Sequence, residues 1–528
     1  MKKIDFLNSQ YIAQYRPVIA KNCIATSQPL AAQAGINILQ QGGNAVDAAI
    51  ATAITLVVVE PTMNSLGGDA FAIVWDGGRM HGFNASGRSP HAWTREHFNS
   101  YQTMPLTGWD SVTTPGAISS WVTLSEKFGR LDFRKLFTTA IHYAEQGFLV
   151  SPITAAHWRE FSKPFKNNSE FAKVFLPKGR APYAGELFKA PYHANSLRKI
   201  AESKGKAFYH GQLAEAMGNY AQQQGALFSI EDLKQHKLQE VEPLSVCYRG
   251  YDLFELPPNG QGLTVLIALG ILQHFDLHEY AVDSVASLHL QIEAMKLAFA
   301  DARRYIADPA YMSLAPTALL ASAYLAKRAK LIRMDQARMP ECGFPDEQGT
   351  VYLTTADSQG MMVSFIQSHY RLFGSGVVIP ETGILMQNRG ACFTLEKGHP
   401  NEVGGNKLPF HTIIPAFLMQ DQLPLMSFGV MGGHMQAQGH VQFMVRLCDY
   451  QQDPQTILNA PRWYISPDNK ISLEVDIKPS IVQGLRDKGH DIISSPMITY
   501  GGGQAIYCLD DGYLAASDPR KDGQAVGY

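Results

Sequence analysis

Thr350 stands between Gly349 and a strand-like run in DEQGTVYLTTADSQG, Asp346 to Gly360. In the plainest reading it is the first residue of a strand. It acquires chemistry if the chain is cut after Gly349, because Thr350 then becomes a new N-terminus with a nucleophilic hydroxyl. An N-terminal threonine brings its own general base. Its α-amino group titrates at ~7.7–8 and takes the hydroxyl proton directly or through water. Such a site also needs hydrogen-bond donors for the oxyanion of a tetrahedral intermediate. GVMGGHMQAQGH offers Gly432 and Gly433, whose small size lets backbone N–H groups approach a substrate oxygen, although the pair also suits an ordinary glycine turn. FGSG, Phe373 to Gly376, follows Ser368 after the next strand-like run.

Other chemistries find less support. No G-x-x-x-x-G-K-[ST] occurs, and the glycines at 429–433 and 501–503 lack the strand and later acidic residue of a dinucleotide site. His434 and His440 are six apart and no H-E-x-x-H exists, so no metal is expected. A G-x-S-x-G elbow is absent. The expectation is an enzyme with neither cofactor nor metal.

Charge is nearly balanced in the 528 residues, with 45 basic against 47 acidic side chains. There is no basic stripe for nucleic acid, so a small molecule is the expected partner. The six cysteines (Cys23, Cys247, Cys342, Cys392, Cys448 and Cys508) include no CxxC pair, which fits reduced thiols. MKKIDFLNSQYIAQYRPVIAKN has no apolar h-region, and AIATAITLVVV (Ala49 to Val59) is too short to span a bilayer. These features predict a soluble, cytoplasmic protein without a membrane partner.

The elements that must position Thr350 are legible in outline. Helical stretches from Gln28 to Val59 are separated at Gly42-Gly43. DAFAIVWDGGRMHGFNAS predicts two strands around the turn Asp76-Gly77-Gly78. Asp132 to Leu325 reads as mostly helical, as in SVASLHLQIEAMKLAFADARRYI. From Thr350 the texture turns to strands: TVYLTTAD, MMVSFIQ, GVVIP, TIIPAFLMQ, PLMSFGV, AIYCL and GYLAAS. Strands at both ends with helices between them predict a sandwich of sheets covered by helices on both faces. RMPECGFPDEQ, Arg338 to Gln348, is the one connector in which a cut would spare a core.

LQQGGNAVDAAIAT, VEPTMNSLGGDAF, TTPGAISSW, PPNGQG, the Thr350 block, FGSGVVIPETGILMQN, NKLPFHTIIP, GVMGGH, NAPRW and AASDPRKDGQAVGY together resemble the γ-glutamyltranspeptidase family over nearly the whole chain. The resemblance implies an N-terminal nucleophile hydrolase with a four-layer αββα fold. It implies one domain made of two fragments, 1–349 and 350–528, produced when the proenzyme cleaves itself between Gly349 and Thr350. The fragments would form a heterodimer, with pairing into a heterotetramer left open. By the same match Ser368 takes the place of the hydroxyl that bonds the nucleophile, and Gly432 and Gly433 form the oxyanion pair.

The departures from the family pattern bear on specificity. Where the family has an Asp that grips the substrate's α-amine, Gln387 to Phe393 reads Q-N-R-G-A-C-F, with Cys392 at that Asp position. A neutral thiol cannot offset a buried ammonium. The family's Asn after the nucleophile strand is Tyr370, and its Ser-Ser pair is His411-Thr412. Its carboxylate-binding Arg is replaced by Ser86; Arg88, two residues on, would keep the same face of a strand. Arg389 adds charge beside the lost Asp. Arg88 is thus the first candidate for a substrate carboxylate and Arg389 the second. A pocket that keeps carboxylate binding and loses amine binding favours a small acid amide. The resemblance is greatest to the oxamate-hydrolysing branch of the family, which acts in purine nitrogen catabolism. The alternative is a γ-glutamyl hydrolase or transpeptidase acting on glutathione-like compounds.

Overall fold

Within the strand Asp69–Trp75, Phe71 and Ile73 face one way while Ala70, Ala72 and Val74 face the other, and all five are fully buried. A strand buried on both faces must lie between two layers. The same division recurs in Val351–Ala356, where Tyr352 and Ala356 oppose Val351 and Leu353, and in Ala416–Gln420, where Phe417 and Met419 oppose Ala416 and Leu418. The computed structural model, which describes residues 14–338, 350–371 and 373–528, accordingly has two central sheets with helices outside them. This is the four-layer αββα arrangement of N-terminal nucleophile hydrolases.

Each sheet has seven antiparallel strands. One runs in the order Val18–Ala20, Gly512–Ser517, Gly502–Leu509, Leu423–Met431, Ala416–Gln420, Tyr251–Glu255 and Leu244–Tyr248. The other runs Gln524–Gly527, Cys23–Thr26, Val351–Ala356, Met362–Ser368, Asp69–Trp75, Met80–Ala85 and Gln239–Val241. The sheets meet through Phe71, Tyr352, Ile366, Phe417, Met431 and Ile506.

Helix Ala45–Val59, buried at every residue, covers the sheet that contains Val351–Ala356. It starts at a capping box in which Asn44 accepts from the Asp47 N–H at 3.0 Å and Asp47 accepts from the Asn44 N–H at 3.1 Å. Helices Gly262–Leu272, Val285–Tyr305 and Met435–Cys448 cover the opposite sheet. Among the described residues, no helix is long and apolar enough to cross a membrane.

The helix pair broken at Gly42-Gly43 and the hairpin turning at Asp76 to Gly78 agree with the sequence. The middle third is less helical than its sequence predicts. Its strands Gln239–Val241 and Leu244–Tyr248 form sheet edges, with Tyr251–Glu255 next to the second of them, and half-exposed residues there blunt the alternation. GVVIP is not a strand. It makes only the isolated bridge Val378 to Leu385, since Gly376 has φ +74° and Pro380 cannot donate to a ladder. Of the connector, residues 339–348 lie outside the described residues, as does Gly349 at the expected cleavage site.

Candidate active site

Thr350 is buried at the head of Val351–Ala356 and faces the end of Met362–Ser368. The antiparallel register pairs Val351 with Gln367, which brings Thr350 level with Ser368. The Thr350 hydroxyl donates to Ser368 Oγ at 3.4 Å and accepts from Gln436 Nε2 at 3.2 Å. Ser368 Oγ also accepts the Tyr370 N–H at 2.8 Å and Arg389 Nη2 at 3.4 Å.

Arg389 is fully buried. Its guanidinium donates to Thr412 Oγ1 at 2.8 Å, lies 3.7 Å from Cys392 Sγ and stacks over the Tyr370 ring at 4.3 Å. All these partners are neutral, and Nε has no hydrogen-bond partner. Tyr370 holds φ +82°, an unusual conformation for a bulky residue, and its buried hydroxyl is likewise unbonded.

The negative charge nearest in effect is Asp69, paired with Ser368 in the strand register. Asp69 Oδ1 accepts from Gly87 N, Gly116 N and Gln387 Nε2 at 3.3, 3.1 and 3.0 Å. Its Oδ2 lies 3.1 Å from His411 Nε2. The Ile413 N–H donates to His411 Nδ1, so the His411 proton sits on Nε2 and points at Asp69. Burial pushes Asp69 up to about 7, opposed by the Arg389 guanidinium and the N–H donors. Burial, with Arg389 close by, holds His411 well below the usual imidazole range.

Gly432 and Gly433 link Leu423–Met431 to helix Met435–Cys448 with φ +122° and +61°, values that glycine adopts without strain. The Gly433 carbonyl accepts from Gln436 N and from Gln261 Nε2, at 3.2 and 3.0 Å. Gln261 Nε2 also donates to the Thr412 carbonyl. A continuous set of contacts therefore joins Thr350, Ser368, Arg389, Thr412, Gln261, Gly433 and Gln436.

The structure thus gathers Thr350, Ser368, Tyr370, Arg389, His411 and Thr412, and connects Gly432-Gly433 to them. Arg88 is placed differently. The strand Met80–Ala85 ends before Ser86, so strand parity does not carry from Ser86 to Arg88. Arg88, 37% exposed in its side chain, is paired with Asp308 at 2.8 Å and donates to the Asn406 carbonyl at 3.0 Å. Asp69, Gln261 and Gln436 carry no role in the sequence reading. The available signal is polarity in an apolar setting: Asp69 opens an otherwise apolar strand, and Gln436 lies in a helix buried through its first three turns.

The three groups His289, Glu293 and His490 could geometrically hold a metal, but their lone pairs are already engaged. Lys296 Nζ donates to Glu293 at 2.8 Å and lies 3.4 Å from His490 Nδ1, while His490 Nε2 and His289 Nδ1 share a hydrogen bond of 2.8 Å. His440 is likewise engaged, at 2.6 Å from Glu255.

Residues 31–528 match the model of the family described as Gamma-glutamyltranspeptidase. The chain is 35% identical to a Bacillus subtilis (strain 168) protein named glutathione hydrolase-like YwrD proenzyme, over 96% of this chain and 98% of that one. It is 33% identical to the oxamate amidohydrolase proenzyme of Klebsiella pneumoniae, over 94% of this chain and 97% of that one. Among solved structures, a cephalosporin acylase from Bacillus halodurans superposes with a TM-score of 0.95 at 44% identity, covering 100% of this chain and 99% of that one.

Proposed function

Because the chain belongs to the gamma-glutamyltranspeptidase family, we propose that it is an autoprocessing amidohydrolase that uses Thr350 to hydrolyse a small acid amide, oxamate foremost. Its relatives are hydrolases acting on amide bonds and are made as proenzymes. Processing begins when Thr350 Oγ1 attacks the Gly349 carbonyl. The C–O bond forms, the Gly349–Thr350 C–N bond breaks, and the hydroxyl proton goes to the departing nitrogen. Water then hydrolyses the ester, leaving the Gly349 carboxylate and a free Thr350 amine.

In turnover that amine takes the Oγ1 proton as the oxygen attacks the substrate amide, then delivers it to the leaving nitrogen, which departs as ammonia. The Gly432 and Gly433 N–H groups hold the oxyanion. Water adds to the acyl ester, and oxalate and the free hydroxyl result. No step in this scheme calls for a cofactor.

The observation that carries the substrate assignment is Arg389: a fully buried guanidinium, hydrogen-bonded to the residue beside the nucleophile, with neutral partners and a spare N–H. A buried cation of this kind is stabilised by an incoming carboxylate, which its planar fork can grip bidentately. Oxamate places a carboxylate next to its amide carbon, as the short path from Arg389 through Ser368 to Thr350 requires. This supports Arg389 as the anchor in preference to Arg88, whose charge Asp308 already balances.

Thr350→Ala is expected to remain a single inert chain, whereas the parent protein gives a fragment whose N-terminal sequencing starts TVYLTT. Ammonia release from a panel of amides should favour oxamate over γ-glutamyl-p-nitroanilide by a factor of about 10 or more in kcat/KM. Arg389→Lys should lower the oxamate value roughly tens- to hundreds-fold, and Arg88→Lys should change it little. A preference for the γ-glutamyl compound would replace the oxamate assignment with γ-glutamyl hydrolysis. The similarity to the cephalosporin acylase places a cephalosporin amide in the same panel.

A further inference from the structure

We propose that Gln436 is a catalytic residue of the Thr350 reaction: its side-chain N–H holds Thr350 Oγ1 and steadies that oxygen whenever negative charge develops on it. This inference rests on Thr350 being the nucleophile.

Gln436 is the second residue of helix Met435–Cys448 and is fully buried. Its amide orientation is fixed by its surroundings. Ile414 N–H contacts Gln436 Oε1 at 3.0 Å, and a backbone N–H can only donate, so the oxygen must face Ile414. The amide NH2 is thereby turned to Thr350 Oγ1, 3.2 Å away. On its other side Thr350 donates its own hydrogen to Ser368. The nucleophile thus has a neutral donor on one flank and an acceptor on the other.

An amide group does not titrate between pH 4 and 10, so Gln436 cannot serve as the base. It can stabilise Oγ1 at the moments when that atom is most basic. In acylation this is as the proton leaves for the α-amine and the C–O bond forms. In deacylation water adds to the ester carbon, the C–Oγ1 bond breaks, and its electron pair returns to Oγ1, which takes a proton from the α-ammonium. A preorganised N–H directed at that oxygen lowers both barriers. Gln436 is also tied to the oxyanion loop, because its backbone N–H donates to the Gly433 carbonyl at 3.2 Å. One residue thereby sets the nucleophile in register with the Gly432-Gly433 turn.

The simpler role for Gln436 is to satisfy the Ile414 N–H, and the choice of variant separates the two. Gln436→Glu keeps an oxygen for Ile414 and the size of the side chain, but it presents an acceptor to Oγ1. Gln436→Met keeps the volume and supplies no donor. In the full-length precursor, both are expected to slow self-cleavage roughly 10- to 100-fold, as followed on gels. Once processing is complete, kcat should fall by a similar factor with KM within about twofold. For Gln436→Glu the rate relative to the parent protein should recover as pH falls toward 5, because the protonated carboxyl donates again. Gln436→Met should show no recovery. Melting temperatures establish that each variant is folded, and if one fails to fold the other decides. A folded variant with parental cleavage rate and kcat overturns the proposal, as does a defect confined to KM. If Thr350→Ala is still processed, the nucleophile assignment fails. If it is inert while the Gln436 variants run at parental rates, only the role of Gln436 falls.

Discussion

Asp69 combines full burial with four N–H groups aimed at its two oxygens, from Gly87, Gly116, Gln387 and His411. Burial disfavours the charge; the donors and Arg389 favour it, and the balance leaves the carboxyl raised to about 7 from an ordinary 3.8. The folded protein then holds this proton more tightly than the unfolded chain. Its contribution to stability is complete below about pH 4 and is lost as pH rises toward 7. Asp69→Asn removes the titration while keeping an acceptor for the Gly87, Gly116 and Gln387 donors. The expected result is a melting temperature that varies less between pH 4 and 7 than that of the parent. An unchanged slope would assign the linkage to another buried acid, such as Glu60, which burial also raises to about 7.

At the scale of elements, two motifs that are separate in sequence meet through buried ion pairs. Arg462, from NAPRW, pairs with Asp518 of SDPRKDG at 2.6 Å, and Arg520 of the same motif pairs with Glu474 at 2.5 Å and Asp518 at 3.1 Å. Asp518 also accepts the Gly503 N–H at 2.8 Å, fixing the strand next to Leu423–Met431. All four side chains are at least nine-tenths buried. Arg520→Ala leaves Glu474 buried without its cation, so urea unfolding should show a loss of about 3–5 kcal/mol. A loss below about 1 kcal/mol would mean that Arg462 compensates alone. Such pairings were not legible in the sequence, because residue spacing reports neighbours along a strand or helix and not contacts between loops. The strands of the Thr350 hairpin were legible because burial on both faces fills them with β-branched and apolar residues. Arg88 and Arg389 look alike in sequence, and only burial and partners separate them: Asp308 pairs with one, while the hydrogen-bond partners of the other are neutral. The helices of 29–40 and 45–59 were clear because their caps and apolar runs are local signals.

Over the whole molecule, each sheet combines strands from before and from after position 350. In the sheet carrying Thr350, the pair Val351–Ala356 and Met362–Ser368 is flanked by Cys23–Thr26 on one side and Asp69–Trp75 on the other. If the chain is cut before Thr350, neither fragment can leave without breaking five ladders, three in this sheet and two in the other, and exposing the apolar layer between the sheets. The fragments should therefore elute together on gel filtration at any salt concentration and part only in denaturant. Separation in plain buffer would contradict the topology. The interleaving also governs timing. Cys23–Thr26 is held on its outer side by Gln524–Gly527, with Asn22 and Tyr528 exchanging two backbone hydrogen bonds of 3.1 Å. A ribosome making this chain must add roughly 500 residues between those partners, so the sheet that holds Thr350 closes late, as sheets built from distant contacts do. Self-cleavage would then act as a proofreading signal, with the cut withheld from chains whose synthesis stopped short, and a precursor ending at Asp522 is expected to stay as one band.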